Sequence, residues 1–113
     1  MNYIKVISRK LPKSSITRGE FIDFSNRVTA AAHNHPGFIK SCSYWDVKNS
    51  LSTIYDNNFQ LFTLSEWESE IDWETWLKSS NRQDAYKNSG DPVKKVEHTI
   101  LYKKLPFNDT FLL

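Results

Sequence analysis

Three of the four tryptophans in this chain lie in one stretch, Trp67 to Ser79, where carboxylates separate the rings. Trp73, Trp76 and Leu77 recur at helical spacing, so the stretch predicts a strand that ends at Trp67, followed by a short helix with one aromatic face. Indole rings on a single face are suited to stacking on a planar aromatic ligand. For all three tryptophans, simple packing in a core is the competing interpretation.

Two further positions carry side chains that exchange protons or hydrogen bonds. His98 alternates with Val96 and Ile100 on one side of a predicted strand. Its ordinary pKa lies near neutral pH, which makes it a candidate general base. Ser8 lies on the apolar side of the first predicted strand and can donate to a ligand carbonyl. A hydrogen-bonded structural role is the alternative for both residues.

The elements that must position these residues follow from the periodicity of the chain. Residues 3 to 10 alternate as a strand, and Thr17 to Glu20 match a capping box that begins a helix. Two-sided apolar runs predict strands over residues 38–47 and 59–67, a short helix is expected over 81–87, and a last strand over 96–102. The order β-α-β-β-α-β predicts an α+β fold of the ferredoxin-like split βαβ type, with an antiparallel sheet.

A sheet covered by helices on one side leaves its other face to be covered by something else. The predicted strands carry apolar residues on both faces, which is more apolar surface than a monomer usually exposes. We therefore expect a homodimer that forms through the sheet faces.

Composition excludes several classes of protein. The length of 113 residues suits one domain, and a net charge of +2 gives no support to nucleic-acid binding. Lysine and arginine interrupt the first apolar positions, so neither a signal peptide nor a membrane span is predicted. Cys42 is the single cysteine, which suits the reducing cytoplasm and predicts a small core residue. His33 and His35 are two residues apart, a spacing that does not predict a metal pair.

Two short motifs resemble a known family. His35-Pro36-Gly37-Phe38 is followed by the pattern W-x-S-x-x-D-W-x-x-W-x-x-S over Trp67 to Ser79. Together they are similar to the antibiotic biosynthesis monooxygenase (ABM) domain, whose members are dimeric α/β barrels. The resemblance implies one domain over residues 1–105 with a tail at 106–113, and an insertion at 48–58.

The resemblance also implies a function. ABM oxygenases act on small or polycyclic phenols and quinols without a metal or organic cofactor. We therefore expect a small aromatic ligand, bound between the helices and the sheet. The residues predicted for catalysis are Trp76, Tyr86 and His98, and those predicted for substrate binding are Ser8, Trp67, Trp73 and Arg82.

Haem binding is the first alternative, because another branch of the family degrades haem. That branch uses a histidine as iron ligand and an asparagine on the first strand. Tyr86 and Ser8 occupy the corresponding places here, which argues against standard haem degradation, although a phenolate ligates haem in other proteins. A dimeric binding domain without catalytic activity is the second alternative.

Overall fold

The computed structural model describes residues 3–47 and 59–101. Within them the elements are β1 (Ile4–Pro12), α1 (Arg18–His33), β2 (Phe38–Val47), β3 (Phe59–Trp67), α2 (Glu70–Lys78), α3 (Ser80–Asn88) and β4 (Val93–Leu101). This confirms the predicted order. None of the helices among these residues is long and apolar enough to cross a bilayer. The predictions for residues 48–58 and 106–113 lie outside the described part of the chain.

The four strands form one antiparallel sheet in the order β2-β3-β1-β4. Together with the helices that connect them along the chain, these strands make the predicted α+β, ferredoxin-like fold. β1 continues two residues beyond its predicted end, because Leu11 pairs with Lys95 and Pro12 with Val93 across a register shift. A proline is tolerated there because an irregular strand end does not need its missing N–H.

The core lies between the helices and one face of the sheet. Val6 and Trp67 are almost completely buried and belong to the same hydrophobic cluster as Phe21 and Phe24 of α1. Strand residues in this cluster lie on alternate positions, as the period of two requires. We call this face, which includes Ile4, Val6 and Ser8 of β1, the inner face of the sheet.

Hydroxyl caps begin the first two helices, as the sequence predicted. The Thr17 side chain accepts from the Glu20 backbone N–H, while the Glu20 carboxylate accepts from the Thr17 N–H, which completes the capping box. Ser69 accepts from the Asp72 N–H at 3.1 Å. These caps satisfy backbone donors that the first turn of a helix leaves unpaired.

Ser79 separates α2 from α3 and bonds to both. Its hydroxyl donates to the Trp76 carbonyl at 2.8 Å and accepts from the Arg82 backbone N–H at 3.2 Å. One side chain therefore closes the end of α2 and opens α3. Because the backbone at Ser79 is extended, residues 70–88 form two short helices instead of one continuous helix.

The two motifs that resemble the ABM family meet in space. Gly37 has a φ of +84°, and its carbonyl accepts from the Glu68 backbone N–H at 2.8 Å. The Asp72 carboxyl group occupies the space that a Cβ at Gly37 would need, and Ser69 holds it with a hydrogen bond of 2.9 Å. The turn before β2 is therefore fitted against the start of α2.

The outer face of the sheet has a different composition. Cross-strand ion pairs border it, including Lys5–Glu66 and Arg9–Glu97. Cys42 pairs with Leu64 on this face and is exposed, so the prediction that it is a core residue is wrong. The reason is register: the bulge at the start of β2 places alternate residues, including Cys42, on the side opposite the helices.

Candidate active site

A cavity of about 50 Å³ lies between the helices and the inner face of the sheet. Ligand pockets usually measure roughly 300–1,000 Å³, so this cavity has room only for a molecule as small as dioxygen or for a few waters. An aromatic ring can bind there only after side chains move. The side chains that form most of its wall are three tryptophans, a row of small hydroxyl residues and three basic groups: Trp67, Trp73, Trp76, Ser8, Ser25, Thr29, Ser41, Thr63, Ser65, Lys10, Arg82 and His98.

The tryptophans form the aromatic part of the wall. Trp67 and Trp76 are stacked, with ring centroids 6.1 Å apart and planes inclined by 28°. The Trp67 Nε1 donates to the Ser65 hydroxyl at 3.0 Å, which fixes the ring at the end of β3. All three tryptophans are buried, so each contributes to the core as well as to the cavity. Packing in the core and stacking on a ligand are therefore compatible roles for the same three rings.

His35 supports this stack from the turn before β2. Its ring meets Trp67 edge-on at 6.1 Å and Trp76 edge-on at 5.7 Å. The sequence predicts no site role for His35 beyond the metal pair that its spacing argues against. Its place beside the glycine turn was the available signal, because that turn carries one of the two family-like motifs.

His98 and Ser8 form the polar pair of the cavity. The two residues lie directly opposite each other on β4 and β1, and Ser8 Oγ is 2.8 Å from His98 Nδ1. In the tautomer with its proton on Nε2, the imidazole accepts from the hydroxyl. Burial, followed by the charges of Arg82 and Lys10, lowers the pKa of His98 to about 4. His98 is therefore neutral at pH 7, and it is a weaker base than its ordinary pKa implies.

This pKa predicts how stability depends on pH. Because the folded state lowers the pKa of His98 from 6.5 to about 4, the unfolded state binds more protons between those values. Solvent screens part of the effect because the ring is only half-buried, and stability is expected to fall by roughly 2 kcal/mol as the pH drops from 6.5 to 4. His98→Asn should remove this part of the pH dependence, which urea unfolding at several pH values would measure.

The carboxylates Glu20, Glu66 and Glu97 also have lowered pKa values and destabilise the fold in acid. The informative quantity is therefore the difference between the variant and the parent chain. His33→Asn is the matched control, since His33 is exposed at the end of α1. Equal pH slopes for the parent and His98→Asn would contradict the prediction.

Lys10 is a residue of the cavity wall that the sequence reasoning missed. It is buried on the inner face of β1, and its Nζ lies 5.4 Å from the centre of the Phe24 ring. Burial and the nearby Arg82 charge lower its pKa to about 8. The signal was present in the sequence, because the alternation that places Ile4 and Ser8 on the inner face also places Lys10 there.

Arg82 and Tyr86 act as a unit on α3. Arg82 Nη2 donates to the Tyr86 hydroxyl at 3.1 Å, and its guanidinium carbon lies 4.6 Å from the Tyr86 ring centre. Nη1 also donates to the Leu77 carbonyl at 3.4 Å. The Tyr86 ring packs edge-on against Phe24. Arg82 therefore faces the cavity, whereas Tyr86 lies behind it and holds it in place.

The structure brings six of the seven predicted site residues into the cavity wall: Ser8, Trp67, Trp73, Trp76, Arg82 and His98. Tyr86 is the exception, because it lies one helical turn after Arg82 on α3, and its phenol meets the Arg82 guanidinium instead. A direct contact between Tyr86 and a substrate therefore has no support in this conformation. The catalytic and binding roles of the other residues stay predictions.

The residues around Tyr86 do not fit haem ligation. Iron binds the phenolate form of tyrosine, but burial raises the pKa of Tyr86, an effect that Arg82 only partly opposes. The hydroxyl is also engaged by Arg82. Among residues 3–47 and 59–101, no group of three or more His, Cys, Asp or Glu side chains is placed to hold a metal ion.

Comparisons with known proteins give relatives in structure but not in sequence. No family model and no curated protein sequence matches this chain. SnoaB, a cofactor-independent oxygenase from Streptomyces nogalater, superimposes with a TM-score of 0.70 at 14% identity, over 95% of this chain and 100% of that one. A proposed antibiotic biosynthesis monooxygenase from Chloroflexus aurantiacus gives a TM-score of 0.64 at 14% identity, over 94% and 97%.

A third structural relative is a dimeric ferredoxin-like protein of unknown function from Thermobifida fusca. Its TM-score is 0.65 at 8% identity, over 88% of this chain and 90% of that one. These likenesses show that the chain has an ABM-like, ferredoxin-like fold. At such identities the fold is shared, while activity depends on the residues of each site.

Proposed function

We propose that this protein is an ABM-type monooxygenase that oxidises a small or polycyclic phenol or quinol without a metal or organic cofactor. The observation that carries the proposal is the cavity wall, in which Trp67, Trp73 and Trp76 stand beside the polar pair of Ser8 and His98. The fold shared with SnoaB, itself a cofactor-independent oxygenase, supports it. The cytoplasmic location stays a prediction from the single cysteine.

The chemistry assigns a task to each part of the wall. An ionised phenol or quinol transfers one electron to dioxygen, and the resulting substrate radical and superoxide combine to form a peroxide. Loss of water then leaves one oxygen atom in the product. The protein must bind the ring flat against indole, accept the phenolic proton and keep water away from the radical pair.

Trp76 is the ring assigned to the substrate. It is stacked on Trp67, which the Ser65 hydrogen bond fixes, so Trp76 is the less constrained of the two. A substrate that inserts beside Trp76 also enlarges the cavity from its resting volume of about 50 Å³. His98 is neutral near pH 7 and is the candidate proton acceptor, with Ser8 orienting its ring.

The test is oxygen uptake after anaerobic binding. The protein would be titrated with hydroquinones or anthrone-like phenols without air, then mixed with air while dissolved oxygen is recorded. Trp76→Phe is expected to lower kcat/KM severalfold, because the smaller phenyl ring keeps only part of a stacking energy of about 0.5–1.5 kcal/mol. Trp45→Phe is the matched control, since Trp45 packs on Phe21 and Phe59 outside the cavity wall.

Full turnover by Trp76→Phe would remove that residue from the mechanism. Binding of aromatics without any oxygen uptake would instead favour a binding domain without catalytic activity. The same samples mixed with haemin would show a shifted Soret band if haem were a ligand, and we expect none at micromolar protein. The Trp45→Phe control separates these outcomes from a general effect of removing an indole.

We further propose that the outer face of the sheet binds a second copy of the chain. Leu64 lies between Ile7 and Cys42 on this face, and Phe62 lies beside Tyr44. Tyr44 is 58% exposed in the single protomer. An apolar strip of this kind, bordered by paired charges, is typical of an interface between subunits.

Light scattering at moderate concentration is therefore expected to give about twice the protomer mass of 13.3 kDa. Phe62→Glu should shift the mass toward that of a single chain, because it would place a carboxylate in the apolar strip of the interface, where its desolvation is costly. Gln83→Glu, at an exposed position on α3 away from the sheet, controls for the added charge alone. A parent chain that remains monomeric would refute the dimer.

A further inference from the structure

The fold buries the Lys10 side chain without a hydrogen-bonding partner among the residues that the structure describes. The residue is 7% exposed, and no hydrogen bond or ion pair within residues 3–47 and 59–101 includes its side chain. The centres of the Phe24 and Tyr86 rings lie 5.4 and 5.8 Å from Nζ. Ring faces recover only part of the hydration that a buried ammonium loses, so an anion would be bound strongly there.

Arg82 supplies a second positive charge to the same wall. Its guanidinium lies against the other described neighbour of Lys10, the Tyr86 ring, and two hydrogen bonds hold it in place. The wall contains no carboxylate among its described residues. Two cations that repel each other, with no carboxylate among the described residues of the wall, give the cavity a positive potential that favours an anionic ligand.

The low basicity of His98 also favours an acidic ligand that ionises easily. A neutral His98 with a pKa near 4 accepts a proton readily only from an acidic group. Nearby positive charges lower the pKa of a bound phenol, because they stabilise its ionised form. By stabilising the phenolate, Lys10 and Arg82 would make a bound phenol acidic enough to transfer its proton to the weak base His98.

From this geometry we infer that Lys10 and Arg82 form an anion subsite, and that the ligand is an aromatic molecule whose ionised oxygen, a phenolate or carboxylate, sits between them. The inference rests on the proposed oxygenase function for its identification of the ligand as substrate. The subsite itself is a binding property. It can be tested without turnover.

The experiment compares charged aromatics with neutral molecules of the same shape at pH 7. Benzoate is paired with benzamide, and pentafluorophenolate with pentafluoroanisole, so the two pairs distinguish a carboxylate from a phenolate ligand. Binding is followed by quenching of tryptophan fluorescence and by calorimetry. In at least one pair the anion is expected to bind roughly tenfold more tightly, as a hydrogen bond to a charged group implies.

Lys10→Met should abolish this preference, and Lys10→Arg should keep most of it. Lys13→Met is the matched control, since it removes the same charge from an exposed position. A measurement on the parent chain avoids variants altogether: the anion preference should decline as the pH rises through about 8, where Lys10 loses its charge.

Equal binding of anion and neutral partner in both pairs, no binding of either anion at millimolar concentration, or a preference that survives Lys10→Met would overturn the subsite. The proposed function fails separately. If the anion preference holds but no phenol supports oxygen uptake, the subsite stands and the oxygenase assignment is lost. If neutral aromatics are oxidised without any charge preference, the oxygenase assignment stands and the subsite is lost.

Discussion

Lys10→Met is expected to make the protein more stable, by roughly 2 kcal/mol at pH 7. The folded state lowers the pKa of Lys10 from 10.5 to about 8, which corresponds to about 3 kcal/mol for holding the charge in the core. The rings of Phe24 and Tyr86 offset part of this, about 1 kcal/mol. Methionine has a similar length, no charge and a flexible shape that fills the same space.

The sign of the pH dependence makes the prediction specific. Between pH 8 and 10.5 the unfolded chain retains a proton on Lys10 that the folded chain has released. Stability of the parent should therefore rise with pH over that range. The variant should lack this rise, so its advantage should shrink as the pH increases.

Urea unfolding of both proteins at pH 7 and at about pH 9.5 measures these quantities. Lys13→Met, at an exposed position, is expected to leave the midpoint almost unchanged. A Lys10→Met chain less stable than the parent at pH 7 would mean that the ammonium is satisfied in the core. A stable variant that has lost anion binding would instead display the usual conflict between stability and function.

Gly37→Ala is expected to destabilise the fold by roughly 3 kcal/mol. The φ of +84° costs a residue with a side chain about 1–2 kcal/mol. In addition, the new methyl group would overlap the Asp72 carboxyl group, and overpacking of this kind costs about 1–3 kcal/mol. Asp72 cannot move freely, because it is hydrogen-bonded to Ser69, the cap of α2.

The other two glycines of the chain separate these causes. Gly90 has a φ of +75° but open space around it, so Gly90→Ala should show the backbone cost alone, about 1 kcal/mol. Gly19 lies in α1 with open space and no left-handed backbone, so Gly19→Ala should be neutral or slightly stabilising. Thermal unfolding would rank the three, with Gly37→Ala lowering Tm by more than about 10 °C. A Gly37→Ala chain as stable as Gly90→Ala would show that Asp72 moves aside at little cost.

Local patterns were enough to predict most of the architecture. The hydroxyl caps at Thr17 and Ser69 and the strand end at Trp67 are each determined by a few neighbouring residues, and all three are confirmed. Cys42 was placed wrongly because a one-residue bulge in β2 exchanges the two faces of the strand. Such a bulge leaves no clear mark in a run that is apolar on both parities.

The electrostatics of the site could not be predicted in the same way. His98 and Ser8 are 90 residues apart, and only the register between β4 and β1 brings them together. The pKa of His98 then depends first on its burial and next on two cations, Arg82 and Lys10, that reach the cavity from different elements. Lysine is rarely buried without a partner, so its residue type gives no sign of the inner position that the strand alternation implies for Lys10.

The position of β1 in the sheet also governs when the protein can fold. β1 precedes the other three described strands in the chain, yet it lies between β3 and β4, and β4 ends at Leu101. At roughly 5–20 residues per second, a ribosome needs on the order of ten seconds to pass from β1 to β4. Throughout that time β1 has at least one edge without its native neighbour, and Val6 lacks part of its final cover. The native sheet is therefore expected to form only after β4 has been synthesised, and a nascent-chain chaperone that shields β1 would improve the yield.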